Sequence, residues 1–259
     1  MTVLSVLLYT ACRGKQYGRR LFCPASGTDH FLYMKIVSTD MRCQRKGGCL
    51  VKIGVFGGSF DPIHSGHVEL AKAFLQNLSL DLLIVIPAFV SPFKQGKETE
   101  KAEHRLEMCR LAFSDMKTVQ VSSMELEREG ASYTFETLQT LALQYVGSEL
   151  YFITGADSFM TLQDWKNPQE IFRRAVICVT PRNGQDASVL AKQADFLQGL
   201  GARTVILDTE IMTVSSTEIR RRLRCGESIH GYVPEKVEEY IIKNGLYQEN
   251  GCDVNADQK

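Results

Sequence analysis

From Val51 onward the sequence predicts an α/β fold built as a doubly wound parallel sheet, and three observations carry that expectation. Strand-length apolar runs alternate with helical patterns along the chain. Several runs are apolar throughout, Leu82-Leu83-Ile84-Val85-Ile86 among them, which suits a strand covered on both faces. A glycine pair, Gly57-Gly58, leads from the first strand toward the first helix.

The apolar stretch Lys52–Phe56 reads as the first strand, and Val68–Leu78 carries the first helical pattern. A second strand over Leu82–Pro87 precedes a helix over Ala102–Phe113. Thr118–Val121 and Leu150–Thr154 are the next strands, followed by helical patterns at Thr134–Tyr145 and Pro168–Phe172 respectively. Ala175–Thr180 and Thr204–Leu207 complete the set, with a helix over Ser188–Leu200 between them. A last hydroxyl-rich run near Ser216 can cap a helix that continues through Leu223 and stops at Gly226. Ligands of such sheets bind beyond the carboxyl ends of the strands. The turns after Phe56, Pro87, Val121, Thr154, Thr180 and Leu207 are therefore the informative ones.

At 259 residues the chain has room for one good core and an extension. The division expected is an N-terminal extension over residues 1–50, one domain over 51–247 and a tail over 248–259. The formal charge of zero hides an asymmetry: residues 1–50 hold eight Lys/Arg and two Asp/Glu. The remaining body is acidic, which argues against general nucleic-acid binding. No apolar run reaches membrane-spanning length. The short apolar run Val3 to Tyr9 has no basic residue ahead of it and no cleavage site after it, unlike a secretory signal. A disordered tail, a targeting peptide and residues added by an upstream start codon all fit the extension. The abrupt first strand at Val51 favours the start-codon reading. Of eight cysteines, four fall in the extension (Cys12, Cys23, Cys43 and Cys49), and no Cys-x-x-Cys pair occurs. Cys109 and Cys178 sit in apolar surroundings as buried reduced thiols, which suits a cytoplasmic location.

The chemistry concentrates in Gly57-Gly58-Ser59-Phe60-Asp61-Pro62-Ile63-His64-Ser65-Gly66-His67. Glycines let backbone approach a ligand, a helix N-terminus offers N–H groups to an anion, and two histidines add donors to the same space. The run holds a polyphosphate better than it attacks one, since it contains no obvious nucleophile. A second run, Val214-Ser215-Ser216-Thr217-Glu218-Ile219-Arg220, sets three hydroxyls at a helix start and an arginine one turn inside. Capping explains such hydroxyls, and so does a second anion site. A third element, Ile86-Pro87 followed by Ser91-Pro92-Phe93-Lys94, puts a lysine on a stiff loop within reach of a phosphate.

The first run resembles the GxFDPxHxGH motif of the nucleotidyltransferase superfamily of α/β phosphodiesterase type, and the second resembles its ISSTxIR motif. The first run lacks the Gly-Lys-Ser/Thr of a Walker loop and the GxGxxG of dehydrogenases. Ser132-Tyr133-Thr134, the turn Gly155-Ala156-Asp157, Trp165 and the end Val233 to Ile242 with Leu246-Tyr247 resemble bacterial nicotinate-nucleotide adenylyltransferases. The likeness spans residues 51 to about 247 and implies a Rossmann-like nucleotidyltransferase fold. It departs at Ser59, where threonine is common, and at Lys166, where an aromatic residue is frequent. Thr180-Pro181-Arg182-Asn183-Gly184 matches the family's Arg-Pro-Gly loop only loosely.

The resemblance implies adenylyl transfer from ATP to nicotinate mononucleotide, with Mg²⁺ entering on the triphosphate. It assigns catalysis to His64, His67, Lys94 and Arg220. It assigns ATP to these four with Gly57, Gly58, Ser59, Phe60, Gly155, Asp157, Ser215, Ser216 and Thr217. The acceptor falls to Tyr133, Thr134, Asp157, Trp165 and Arg182, with the indole able to stack on a flat heterocycle. The chain shows no carboxylate cluster for a dedicated metal site. A homo-oligomer stays open. So do other phosphate acceptors, nicotinamide mononucleotide and phosphopantetheine among them, whereas a cytidylyltransferase fits the acceptor-side residues poorly. A nucleotide-binding regulator without turnover is the reading from another class; it could have lost His64, His67 and Arg220, which are present.

Overall fold

A computed structural model describes residues 50–89, 99–128, 130–181, 187–209 and 212–248. Six strands form one sheet: β1 (Val51–Gly58), β2 (Leu82–Pro87), β3 (Val119–Val121), β4 (Ser148–Ile153), β5 (Ala175–Val179) and β6 (Arg203–Ile206). Their order is β3-β2-β1-β4-β5-β6, and every pairing is parallel. This is the Rossmann-like, doubly wound arrangement expected. The chain winds one way from β1 to β3 and the other way from β4 to β6, so the switch point at which such sheets bind ligands falls between β1 and β4.

Nine α-helices are described: α1 (Ser65–Asn77), α2 (Ala102–Ala112), α3 (Met124–Arg128), α4 (Thr134–Gln144), α5 (Ala156–Met160), α6 (Pro168–Arg174), α7 (Ala187–Gly199), α8 (Ser216–Arg224) and α9 (Glu235–Lys243). Alternate strand residues point to opposite faces, and this period of two divides the core. Phe56, Leu83, Val85, Ile153 and Cys178 meet α1, α2, α8 and α9 through Phe74, Met108, Ile219 and Val237. Ile53, Val55, Ile84, Phe152 and Ile177 meet α4, α5, α6 and α7 through Leu138, Phe159, Phe172 and Leu190. With helices on both faces, an unbroken apolar run such as that of β2 is buried at all six positions.

The differences from the sequence reading are local. β1 runs two residues beyond Phe56, because Gly57 and Gly58 stay in register with Ile86 and Pro87. Helices α3 and α5 were not foreseen; five residues are too few to establish a period of 3.6. Cys109 and Cys178 are buried free thiols, as expected. Burial raises both, and Cys178 titrates at about 12. No helix among the described residues is long and apolar enough to cross a membrane. The extension up to residue 49, the tail beyond residue 248, Lys94 and Arg182 lie outside the described residues.

Candidate active site

Beyond β1 the chain passes a buried Phe60 and Ile63 and enters α1 at His64. Phe60 is 2% exposed and lies edge-on to Phe56 and His67, so its ring serves as packing. The backbone of Phe60 is left-handed, with φ at 46°. A Cβ on Gly57 would meet nothing within 4 Å. The protein itself does not demand glycine there, and the space above it is open to a ligand backbone-first.

His64 is the N-cap of α1 and forms a reciprocal capping box with His67. The Nδ1 of His64 accepts the His67 N–H at 3.3 Å, and the Nδ1 of His67 accepts the His64 N–H at 3.3 Å. The Ser65 N–H is donated to Tyr232 O at 2.8 Å. The picture of α1 offering bare N–H groups to an anion is therefore corrected: two of them are already engaged within the protein. With each Nδ1 an acceptor, the neutral rings carry hydrogen on Nε2.

The second motif is fastened to the first. Ser215 is the N-cap of α8, its Oγ accepting the Glu218 N–H at 3.1 Å; the cap is neither Ser216 nor Thr217. Ser216 instead donates its hydroxyl to Pro62 O at 2.9 Å. Its single O–H being used there, α8 has the backbone of its first turn and Thr217 to offer an anion. Arg220 donates through Nη1 to Asp61 O and through Nη2 to Thr217 Oγ1 at 3.4 Å. The segment before α8 also crosses α1 closely. A Cβ on Gly66 would stand 2.7 Å from Met212 O, so only glycine fits.

Three residues with no assigned role organise the surroundings. Asp61 is 4% exposed, and its Oδ1 accepts from Tyr247 Oη at 2.9 Å and from the Glu100 N–H at 3.2 Å. Arg105, 2% exposed on α2, donates to four backbone carbonyls: Ser59 (2.7 Å), Ala88 (2.7 Å), Phe89 (3.1 Å) and Glu100 (3.0 Å). It ties the first motif to the end of β2. Its spacing from Met108 and Cys109, on one helix stripe, was a signal for burial in the sequence. Buried Glu125 accepts from Thr137 Oγ1 at 2.5 Å, and Ser132 accepts the Phe89 N–H at 3.0 Å. Desolvation lifts the Glu125 carboxyl above the usual range, although bonds from Thr137 and Ser132 pull the other way.

On the acceptor side, Tyr133 is the N-cap of α4 and Thr134 its first residue. Lys166 Nζ stands 3.9 Å from the centre of the Tyr133 ring, which draws the Trp165 segment to the start of α4. Trp165 is half-buried and meets Phe152 edge-on at 6.1 Å. Its indole is thus partly a packing residue. Gly155 caps α5 with open space around it, and Asp157 is exposed in the first turn. Among the described residues no three His, Cys, Asp or Glu side chains converge on one point.

Comparisons with known proteins agree with this fold. The cytidylyltransferase-like family profile matches residues 55–222. A protein of Roseiflexus sp., described as a "probable nicotinate-nucleotide adenylyltransferase", is 40% identical over 196 residues, covering 76% of this chain and 98% of its own length. One of Lachnoclostridium phytofermentans with the same description is 37% identical over 197 residues, with the same coverage. The solved nicotinic acid mononucleotide adenylyltransferase of Plasmodium falciparum, complexed with APC, superposes with a TM-score of 0.63 at 18% identity, over 77% of this chain and 98% of that one. That likeness is one of fold. On the profile and these relatives, the chain belongs to the nicotinate-nucleotide adenylyltransferase family of cytidylyltransferase-like proteins.

Proposed function

We propose that the protein transfers the adenylyl group of ATP to nicotinate mononucleotide, forming nicotinate adenine dinucleotide and pyrophosphate. The observation that carries this is the joining of α1 and α8 through Ser216 to Pro62 and Arg220 to Asp61. The two runs that the resemblance assigns to phosphate are thereby held together, which supports their sharing one triphosphate.

The acceptor's phosphate oxygen attacks the α-phosphorus in line and pyrophosphate leaves, so no covalent nucleophile is needed. Positioning and charge stabilisation do the catalysis. His64 and His67 donate from Nε2 to the phosphates, with His67 nearest the reacting centre. Arg220, Thr217 and Lys94 hold the departing pyrophosphate, and the glycines at the end of β1 let the nucleotide lie against backbone. Tyr133, Thr134, Trp165 and Arg182 receive the acceptor, and Asp157 accepts from ribose or base. Mg²⁺ on the triphosphate supplies further neutralisation of phosphate charge. The one carboxylate inside the first motif, Asp61, is turned toward Tyr247 and Arg220, so the cation's ligands come mainly from ATP. Two buried free thiols support a reducing, cytoplasmic setting.

Pyrophosphate release from ATP with a panel of acceptors tests the reading. Lys166 beside the start of α4 favours a carboxylate over an amide. Nicotinate mononucleotide should therefore surpass nicotinamide mononucleotide at least about tenfold in kcat/KM. Equal efficiency would remove the acceptor assignment, and turnover with neither would remove the function.

A further inference from the structure

We infer that Tyr247 is a positioning residue for ATP, acting on Arg220 through Asp61. The inference rests on the reading above that Arg220 holds phosphate. Arg220 is two-thirds buried by its own side chain, and its Nη1 lies 3.6 Å from Asp61 Oδ2 while donating to the Asp61 carbonyl oxygen. A guanidinium anchored through Nη1 to the Asp61 carbonyl and more loosely through Nη2 to Thr217 Oγ1 is already oriented and loses less freedom when phosphate arrives.

The anchor must not become a competitor. A free aspartate beside an arginine turns both oxygens to the fork and forms a bidentate pair, which would spend the charge that ATP needs. Asp61 is prevented from doing so. Its Oδ1 is taken by the Tyr247 hydroxyl and the Glu100 N–H, and only Oδ2 is left toward Arg220, beyond hydrogen-bond distance. Tyr247 sits 186 residues from Asp61 in sequence and reaches it from just past α9.

Two features show that this contact is built in. Leu246, directly before the tyrosine, is buried in the core. Tyr247 itself is held at φ 64°, a left-handed conformation that a bulky residue keeps only where its surroundings over-determine it. Burial and the neighbouring carboxylate raise the phenol far above its ordinary range, so it remains a donor at every working pH.

The test is a double-mutant cycle on the full chain with ATP and nicotinate mononucleotide, using proteins that melt like the wild type. Tyr247→Phe removes only the hydroxyl and should raise KM for ATP about three- to thirtyfold, with kcat within about twofold. In an Arg220→Ala background the same substitution should have no further effect on ATP, because the residue it acts through is gone. A wild-type KM in Tyr247→Phe, or an equal effect in both backgrounds, overturns the relay while leaving Arg220 as a phosphate ligand. Unchanged ATP kinetics in Arg220→Ala alone overturns that ligand role, and the relay with it.

Discussion

The rings of His64 and His67 lie face to face, centroids 3.5 Å apart and planes 19° from parallel, while each Nδ1 takes the other residue's backbone N–H. One pair of side chains thus starts α1, and the proposed mechanism gives the same pair the task of donating to phosphate.

His67→Ala therefore has two separable effects. Loss of half the capping box should cost about 1 kcal/mol, visible as a modest fall in Tm. Turnover should fall by roughly 10²–10³, the scale for one lost transition-state donor. A folded variant with near-normal kcat would remove the assignment of His67 to the reacting centre.

Gly57 and Gly66 should respond oppositely to alanine. At Gly66 the new Cβ meets Met212 O at 2.7 Å, so the variant should lose about 1–3 kcal/mol of stability in urea unfolding. At Gly57 the same methyl meets no protein atom within 4 Å, and stability should hold. A ligand lying on that backbone would meet it, so KM for ATP should rise in Gly57→Ala. Normal ATP kinetics there would mean that the nucleotide does not approach Gly57.

Arg105→Met leaves four backbone carbonyls around α2 without their donor. A loss of about 2–5 kcal/mol is expected from chemical denaturation, with Arg105→Lys recovering only part because one ammonium cannot span four acceptors. A cost below about 1 kcal/mol for the methionine variant would contradict the clamp.

Glu125 makes stability depend on pH with a definite sign. Its folded carboxyl titrates above the ordinary 4.5, mainly through burial. Between those two values the native protein keeps a proton that the unfolded chain has released, so stability falls as pH rises through this window and levels off above it. Glu125→Gln cannot ionise and should lack that fall. The Tm difference between variant and wild type should then move in the variant's favour as pH rises from about 4 to about 7. A difference independent of pH would show that Glu125 titrates alike in both states.

The sequence by itself determined the parallel sheet, the place of both motifs along the chain and the family, because apolar runs and short motifs are local properties. Leu82-Leu83-Ile84-Val85-Ile86 announces a strand covered on two faces wherever it folds, and the order of the residues around His64 and Ser216 needs no partner to be read. What the tertiary structure decided are the choices among equivalent groups. Three hydroxyls stand at the start of α8, and only the folded chain selects Ser215 as cap and sends Ser216 to Pro62, 154 residues away. Only folding closes Asp61 onto Tyr247, across 186 residues, and turns Arg105 inward among carbonyls. Such bonds depend on which backbone stands opposite a side chain once the sheet is closed. That relation is set by packing rather than by any period along the chain.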